Sequence, residues 1–255
     1  MTCILRSLPA AAAVLLAALA LPAGAQNISA VQRGEIETII KDYLIKNPEV
    51  LQEALMELEK RQAVAESQKH KAAVQDHAQA LFNSKHQVVL GNAQGDVTMV
   101  EFFDYNCGYC KRALADMVEL MKGDAKLRVV LKEFPVLGEN SVEAARVSIA
   151  ARMQDPGGKK FLDFHQKLLN SRGQIGRAQA LAVAKEAGFD VARMERDMAG
   201  PEPKATLEES FKLADALGLG GTPSYVVGQD VVVGAVGAAA LREKVNSARC
   251  GKATC

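Results

Sequence analysis

The stretch FFDYNCGYCKRAL, residues 102 to 114, places two cysteines three positions apart where a strand-like run gives way to a helix-like one. The run from Val97 to Asp104 is rich in valine and phenylalanine and predicts a strand. From Cys107 to Lys122 the apolar residues follow helical spacing, so Cys107 is expected at the start of a helix. The pair can therefore exchange electrons, hold a metal or crosslink the fold.

The position of the first cysteine favours electron exchange. Unpaired N–H groups and the helix dipole stabilise a thiolate at a helix start and lower its pKa. Gly108 and Tyr109 keep Cys110 near enough to resolve a mixed disulfide. We expect Cys107 to be the nucleophile and Cys110 the resolving thiol, with a Cys107–Cys110 disulfide in the oxidised form.

A metal site is the main chemical alternative for the pair. Structural zinc takes four ligands, and the later cysteines, Cys250 and Cys255, are too widely spaced for a zinc knuckle. The histidines are scattered along the chain at His70, His77, His86 and His165. We expect no resident metal and no cofactor, although the spacing leaves a two-coordinate Cu(I) site at the pair open. Cys250 and Cys255 are expected to form a local disulfide.

The N-terminus has the pattern of a secretory signal peptide over residues 1–25. Arg6 precedes an apolar stretch that ends at Leu21, and Ala23–Gly24–Ala25 is a small-residue cleavage pattern. Cleavage of the signal peptide would remove Cys3 and leave four cysteines. An even number can form two disulfides, which persist in an oxidising compartment. The formal net charge of +1, with interleaved signs, gives no indication of a nucleic-acid partner.

Residues 26–85 are predicted to be a helical N-terminal domain and linker. Ser29 is the expected N-cap, and Asn47–Pro48 breaks the helical pattern. Leu51, Leu55 and Leu58 form an apolar stripe with too few neighbours to bury it, which favours packing on a copy of the chain. An arm folded back on its own domain is the alternative. Residues 59–77 are mostly charged residues, glutamine and alanine, and are expected to be a connector.

Residues 86–255 are predicted to be an α/β domain interrupted by helices. Strands are expected near 87–91, 97–104 and 126–134, and the last two flank a helix, which implies a parallel pair. Residues 139–218 contain several helical patterns and no convincing strand. Strands resume at PSYVVG and VVVG, before a closing helix. A helical block is therefore inserted within one α/β unit.

These features together resemble the DsbA-type thioredoxin-fold proteins over about residues 86–249. The resemblance rests on a strand, EFFDYNCGYC, a helix, the inserted helical block and then GTPSYVVG. The segment IETIIKDYLIKNPEVLQEAL resembles the N-terminal region of ScsC-type proteins, the suppressor of copper sensitivity group. The implied architecture is a thioredoxin fold with an inserted helical domain, preceded by an all-helical oligomerisation segment.

The resemblance also assigns roles at the site. Pro223 matches the family's cis-proline beside the cysteines, and Thr222 would help position the substrate strand, with Gly108 and Tyr109 as further substrate-binding residues. Glu101 matches an acidic residue beneath the active site that can relay a proton, although its position also allows an acid on the solvent face of an edge strand. Lys132 is a weaker candidate partner for that carboxylate and is expected at the surface.

The dipeptide between the cysteines departs from that of the strongly oxidising DsbA proteins. They carry Pro-His, whereas Gly108–Tyr109 matches dimeric periplasmic isomerases such as DsbC. The resemblance implies a periplasmic, oligomeric protein disulfide isomerase that acts on cysteine-containing exported proteins and has a membrane-bound redox partner. The alternatives are a monomeric dithiol oxidase and a copper-handling protein that binds Cu(I) through the same cysteines.

Overall fold

The computed structural model describes residues 28–255, so the predicted signal peptide lies outside the described residues. The chain forms two compact units, divided between Lys60 and Arg61. Over the described range the helices are α1 (Ala30–Lys46), α2 (Glu49–Asp76), α3 (Ala78–Phe82), α4 (Gly108–Gly123), α5 (Glu139–Gln154), α6 (Lys159–Leu169), α7 (Arg177–Glu186), α8 (Val191–Met198), α9 (Glu202–Ala216) and α10 (Ala238–Cys250). The strands are β1 (Val88–Gly91), β2 (Val97–Phe103), β3 (Leu127–Glu133), β4 (Ser224–Val227) and β5 (Asp230–Val233).

The N-terminal unit contains α1 and the first part of α2. The predicted cap is confirmed: the Ser29 side chain accepts from the Gln32 backbone N–H, and the Gln32 side chain accepts from that of Ser29. The helical pattern breaks at Asn47–Pro48, as predicted. Large apolar side chains in this unit are 44% to 72% exposed in the single chain, namely Val31, Ile36, Ile39, Ile40, Tyr43, Ile45, Leu51, Leu55, Met56 and Leu58.

The second unit is built on a five-stranded sheet with the order β1-β3-β2-β4-β5. The predicted parallel pair of β2 and β3 is confirmed, and the other strand pairs are antiparallel. The inserted helical block is also confirmed, since α5 to α9 lie between β3 and β4 in the chain. The fold is the DsbA-like thioredoxin fold that the sequence predicts.

Alternate residues of β2 face two separate cores. Met99 and Phe103 belong to the core that includes residues of α4, α10 and the helical block. Val100 and Phe102 belong to the second core, which α3 and α9 cover. Because side chains alternate along a strand, Glu101 lies on the α4 side of the sheet.

The segment after Lys60 takes part in the second core. Val74 is 2% exposed and Leu81 is fully buried, beside Phe102 and Phe134. The compact units divide at 60/61, within the segment predicted to be the linker, and the predicted domain boundary at 85/86 stays a prediction. Val74 and Leu81 are thus the buried apolar side chains through which this mainly polar segment joins the second core.

Candidate active site

Cys107 is the N-cap residue of α4, where an extended backbone (φ −77°, ψ 116°) gives way to the helix at Gly108. Its side chain is only 6% exposed. The pKa of this thiol is lowered from 9.0 to about 5, first by the hydrogen bond from the Cys110 thiol and further by the Thr222 side chain and the N–H groups at the helix start. Cys107 is therefore the sulfur best able to attack near neutral pH.

Cys110 has the opposite environment, one turn into the helix. Its side chain is fully buried. The pKa of Cys110 is raised by the hydrogen bond to Cys107, by burial and by the charge of Glu101. Cys107 and Cys110 are both free thiols in this structure, and their disulfide in the oxidised form stays a prediction. Cys107 is thus readily ionised while Cys110 stays protonated, so Cys107 is the sulfur that attacks first.

The Thr222–Pro223 peptide bond is cis and lies beside the redox pair. The Cys107 thiol donates a hydrogen bond of 3.1 Å to the Thr222 carbonyl oxygen. The Pro223 carbonyl oxygen accepts from the backbone N–H of Gly234, which follows β5. Cys107 and Thr222 are more than a hundred positions apart in the chain, and the backbone at Thr222–Pro223 borders the reactive sulfur.

Glu101 lies beneath the cysteines, in the middle strand of the sheet. Of the two placements that the sequence allows, the structure has the buried one, with an exposed fraction of 3%. The pKa of Glu101 is raised from 4.5 to about 8, chiefly by burial and also by the charges of Asp116 and Cys107. Its Oε2 atom has no hydrogen-bond partner among the described residues. The carboxyl group can therefore exchange a proton near neutral pH.

Lys132 is not the partner of Glu101, and its expected surface location is wrong. Its side chain is fully buried in the second core, on the opposite face of the sheet from Glu101. Its Nζ atom donates to the Ala80 carbonyl oxygen at 2.6 Å and to Glu209 Oε1 at 2.9 Å. The sequence-based placement failed because α3 and α9 cover this face, and their packing is not visible in the local pattern.

The dipeptide between the cysteines is at the protein surface. A Cβ atom added at Gly108 would meet open space, and Tyr109 is 60% exposed. The Arg112 guanidinium lies 4.2 Å from the centre of the Tyr109 ring, a cation–π contact. A molecule that binds at Cys107 can therefore contact this dipeptide.

Two further buried groups near the pair have no distinct signal in the sequence. Tyr225 of β4 is paired with Glu101 in the sheet, is 1% exposed and has its pKa raised by burial and by that carboxylate. Asp104 is also 1% exposed, and its contacts reach the loop after β3. Periodicity does not mark either residue, because the contacts that matter are made between distant parts of the chain.

The other cysteines lie at the end of the chain. Cys250 and Cys255 are joined in a disulfide, with a Cα–Cα distance of 6.2 Å, where α10 ends. Within residues 28–255, no group of three or more histidine, cysteine or acidic side chains is arranged to hold a metal ion.

The chain matches two protein-family models. Residues 98–246 match the DSBA-like thioredoxin domain. Residues 32–65 match the N-terminal domain of the copper resistance protein ScsC. The two matches cover the two segments on which the sequence resemblance rests.

Solved structures similar to this chain come from several bacteria. One is a thioredoxin-like oxidoreductase from Silicibacter pomeroyi, which is 44% identical with a TM-score of 0.64, covering 67% of this chain and 96% of the other. A linker-deletion variant of ScsC from Proteus mirabilis is 26% identical with a TM-score of 0.66, covering 88% of this chain and 97% of the other. The first similarity covers two thirds of this chain, and the similarity to ScsC covers most of it.

The chain also matches parts of longer curated proteins. A Na⁺/H⁺ antiporter, NhaA 1 of Salinispora arenicola, is 27% identical over 163 residues, which is 64% of this chain and 25% of the relative. The chain thus spans about a quarter of that relative's length. In the described part of this chain, no helix is long and apolar enough to span a bilayer.

Proposed function

This chain belongs to the DsbA-like thioredoxin domain family, and from that premise we propose that it is an exported, oligomeric protein disulfide isomerase. Its family is one of thiol-disulfide oxidoreductases. The observation that carries the proposal is the contrast between the two thiols. Cys107 caps α4 beside the Thr222 carbonyl oxygen, whereas Cys110 is fully buried one turn further on, and these environments lower the pKa of Cys107 to about 5 and raise that of Cys110. Such a pair attacks with one sulfur and keeps the other protonated until it is needed.

The first step is attack on a substrate disulfide. The Cys107 thiolate forms a bond to one substrate sulfur, the substrate S–S bond breaks, and the second substrate sulfur leaves as a thiolate that takes a proton from water. Another substrate cysteine can then attack the mixed disulfide, which forms a new substrate disulfide and returns the Cys107 thiolate. No net electrons are transferred in that cycle, so it is an isomerisation.

The resolving step is the escape from a trapped mixed disulfide. Cys110 loses its proton and attacks the Cys107 sulfur, which forms the Cys107–Cys110 disulfide and releases the substrate sulfur as a thiolate. Two electrons then pass from the enzyme to the substrate. The family's redox partner would have to return them before the next cycle.

Glu101 is the proposed acceptor of the Cys110 proton. Part of the rise in the pKa of Glu101 comes from the charge of Cys107. In the mixed disulfide Cys107 has no charge, so this part disappears and the carboxyl group loses its proton more readily. A larger fraction of Glu101 is therefore ionised, and able to accept a proton, at the stage when Cys110 must be deprotonated.

The exposed side chains of the N-terminal unit support the oligomeric part of the proposal. Ile36, Ile40 and Tyr43 lie along one stripe of α1 and are 44%, 53% and 55% exposed in the single chain. A contiguous apolar surface of this kind marks an interaction site. We assign it to a second copy of the chain, because the segment matches a family domain and carries few charges along the stripe.

Replacing Cys107 tests the proposal. Cys107→Ser should abolish recovery of activity from a scrambled disulfide protein, because no thiolate remains to attack. Cys110→Ser should instead accumulate a mixed disulfide with the substrate. The matched control is Cys250→Ser/Cys255→Ser, which removes the other cysteine pair and should leave the rate unchanged. Full activity of Cys107→Ser would overturn the proposal.

Direct copper binding is the rival from a different class, and the match to a copper resistance protein's N-terminal domain is the observation that favours it. Cys107 and Cys110 would be the two soft ligands. Titration of the reduced protein with Cu(I) against a competing chelator separates the two functions. Affinity no higher than that of a small dithiol would reject the copper function.

A further inference from the structure

The loop after β3 lies beside the redox pair because β2 and β3 are parallel neighbours. Their carboxyl ends meet at one edge of the sheet, which is where open α/β sheets place their ligand sites. The backbone N–H of Phe134 donates to the Phe103 carbonyl oxygen at 2.9 Å, so the two chains stay together past the last paired residues. The loop that begins at Pro135 therefore runs next to the turn that leads to Cys107.

Two apolar side chains of this loop are exposed, and we call Val136 and Leu137 the apolar lip. Val136 is 39% exposed and Leu137 is 50% exposed, although Phe134 just before them is buried. Gly138, with φ of 101°, ends the loop and begins the capping turn of α5. The lip therefore presents apolar surface to solvent at the edge of the sheet that carries the cysteines.

Asp104 holds the lip against the turn that carries Cys107. Its Oδ2 atom accepts from the backbone N–H groups of Val136 and Leu137, at 2.9 and 3.0 Å. Its Oδ1 atom accepts from the N–H of Asn106 at 2.7 Å, and its carbonyl oxygen accepts from the N–H of Cys107 at 3.1 Å. One buried residue therefore connects both members of the lip to the residues just before the nucleophile.

The same turn is fixed on its other side by Asn106. Its side-chain amide donates to the Ile175 carbonyl oxygen at 2.9 Å and accepts from the Ile175 N–H at 2.7 Å. It also donates to Ser141 Oγ, in α5, at 3.0 Å. Asp104 and Asn106 together hold the turn between the lip and the helical block, so the lip has a fixed position relative to Cys107.

We propose that Asp104 is a positioning residue, which fixes the apolar lip beside Cys107 so that the lip binds apolar residues flanking the cysteine of a protein substrate. The inference rests on the proposed function and names the part of its substrate that the site recognises. A protein disulfide gains binding free energy from the lip as its flanking residues bury Val136 and Leu137. A small charged disulfide such as oxidised glutathione reacts at Cys107 without that gain.

The test compares two oxidants of the reduced protein, scrambled ribonuclease and oxidised glutathione. The quantity measured is the ratio of their second-order rate constants. Val136→Ser/Leu137→Ser should lower this ratio about tenfold, since loss of about 1.4 kcal/mol of binding corresponds to that factor. Val64→Ser, at a position that is 51% exposed in α2, is the matched control and should leave the ratio unchanged.

Asp104→Asn should also lower the ratio, since an amide of the same shape cannot accept all three N–H groups. If Asp104 acts through the lip, adding Asp104→Asn to the lip variant lowers the ratio less than twofold further. If the two variants lower the ratio independently, so that their effects multiply in the combined variant, the positioning role is overturned. It is also overturned if Asp104→Asn lowers both rate constants equally, which is the result expected of a merely structural role. Should Asp104→Asn fail to fold, the lip variant still tests whether the lip binds substrate, because its side chains are exposed. An unchanged ratio there overturns the inference, since Asp104 would have no binding surface to position.

The two proposals fail in different ways. An unmodified protein that reacts with neither disulfide overturns the proposed function, and the inference with it. An unmodified protein that reacts with both, together with a lip variant whose ratio is unchanged, overturns the inference alone.

Discussion

At the scale of single residues, the site depends on unequal environments for chemically similar groups. The pKa of Cys107 is lowered chiefly by the hydrogen bond from Cys110, and also by Thr222 and the N–H groups at the helix start. The pKa of Cys110 is raised chiefly by that same hydrogen bond, and also by burial and the charge of Glu101. A pKa of about 5 for Cys107 lies between the values of about 7 for thioredoxin and about 3.5 for DsbA. An intermediate acidity fits a pair that must be reduced for part of its cycle.

Replacing Glu101 should slow the resolving step specifically. Glu101→Gln keeps the shape but cannot accept the Cys110 proton, so release of a mixed disulfide should slow by roughly 10²-fold, the lower range for a general base. Rapid-quench measurement of mixed-disulfide decay follows this step. Formation of the mixed disulfide by Cys107 should keep its rate.

Glu119→Gln is the matched control for this prediction. Glu119 lies on α4, its side chain is 61% exposed, and it pairs with Arg242 at the surface. It should leave the decay rate unchanged. Equal decay rates in Glu101→Gln and the unmodified protein would show that another group takes the proton.

At the scale of elements, sequence patterns predicted β2, α4, β3 and the interrupting helices closely, because each has strong periodicity or a clear terminator. Burial of Lys132 and Leu81 was not predictable in the same way. Both depend on α3 and α9 covering one face of the sheet, a contact between segments far apart in the chain. The placement of Glu101 needed the strand order, and the role of Asp104 needed contacts 32 and 33 residues away.

The burial of Leu81 predicts that shortening its side chain destabilises the protein, whereas shortening an exposed side chain of the same segment does not. Leu81→Ala should lower the free energy of unfolding by about 2–5 kcal/mol, because it opens a cavity in the second core. Val64→Ala, in the same mainly polar segment but 51% exposed, should change it by less than about 0.5 kcal/mol. Urea denaturation followed by circular dichroism compares them.

The same contacts distinguish two N-terminal deletions. A chain that begins at Arg61 should keep a cooperative unfolding transition, whereas one that begins at Lys85 loses Val74, Leu81 and the Ala80 oxygen bound to Lys132. Equal stability of the two deletions would contradict the assignment of residues 61–84 to the second core.

At the scale of the whole molecule, the two compact units suggest a division of tasks. The second unit contains the redox pair, and the first exposes an apolar stripe that a second copy can cover. An isomerase benefits from several active sites around one substrate, while a simple dithiol oxidase needs only one. The oligomeric state therefore separates the proposed isomerase from the monomeric oxidase.

Charging the stripe should separate the two activities. Ile36→Asp/Ile40→Asp/Tyr43→Asp should reduce the mass measured by light scattering to that of one chain, because the buried carboxylates would be unpaired. Scrambled-protein isomerisation should fall at least several-fold, whereas oxidation of a small dithiol persists. Lys41→Asp, on the opposite side of α1, is the control. A single-chain mass for the unmodified protein would favour the oxidase.

The acidity of Cys107 is the central claim, and its alkylation rate as a function of pH tests it most directly. In the reduced protein, with Cys250 and Cys255 paired, iodoacetamide should modify Cys107 at a rate proportional to its thiolate fraction. The rate should rise with pH through a midpoint near 5 and stay level from about pH 6.5 to 8, since the folded-state pKa is lowered to about 5. A midpoint near 9.0, the ordinary value for a cysteine, would contradict the account.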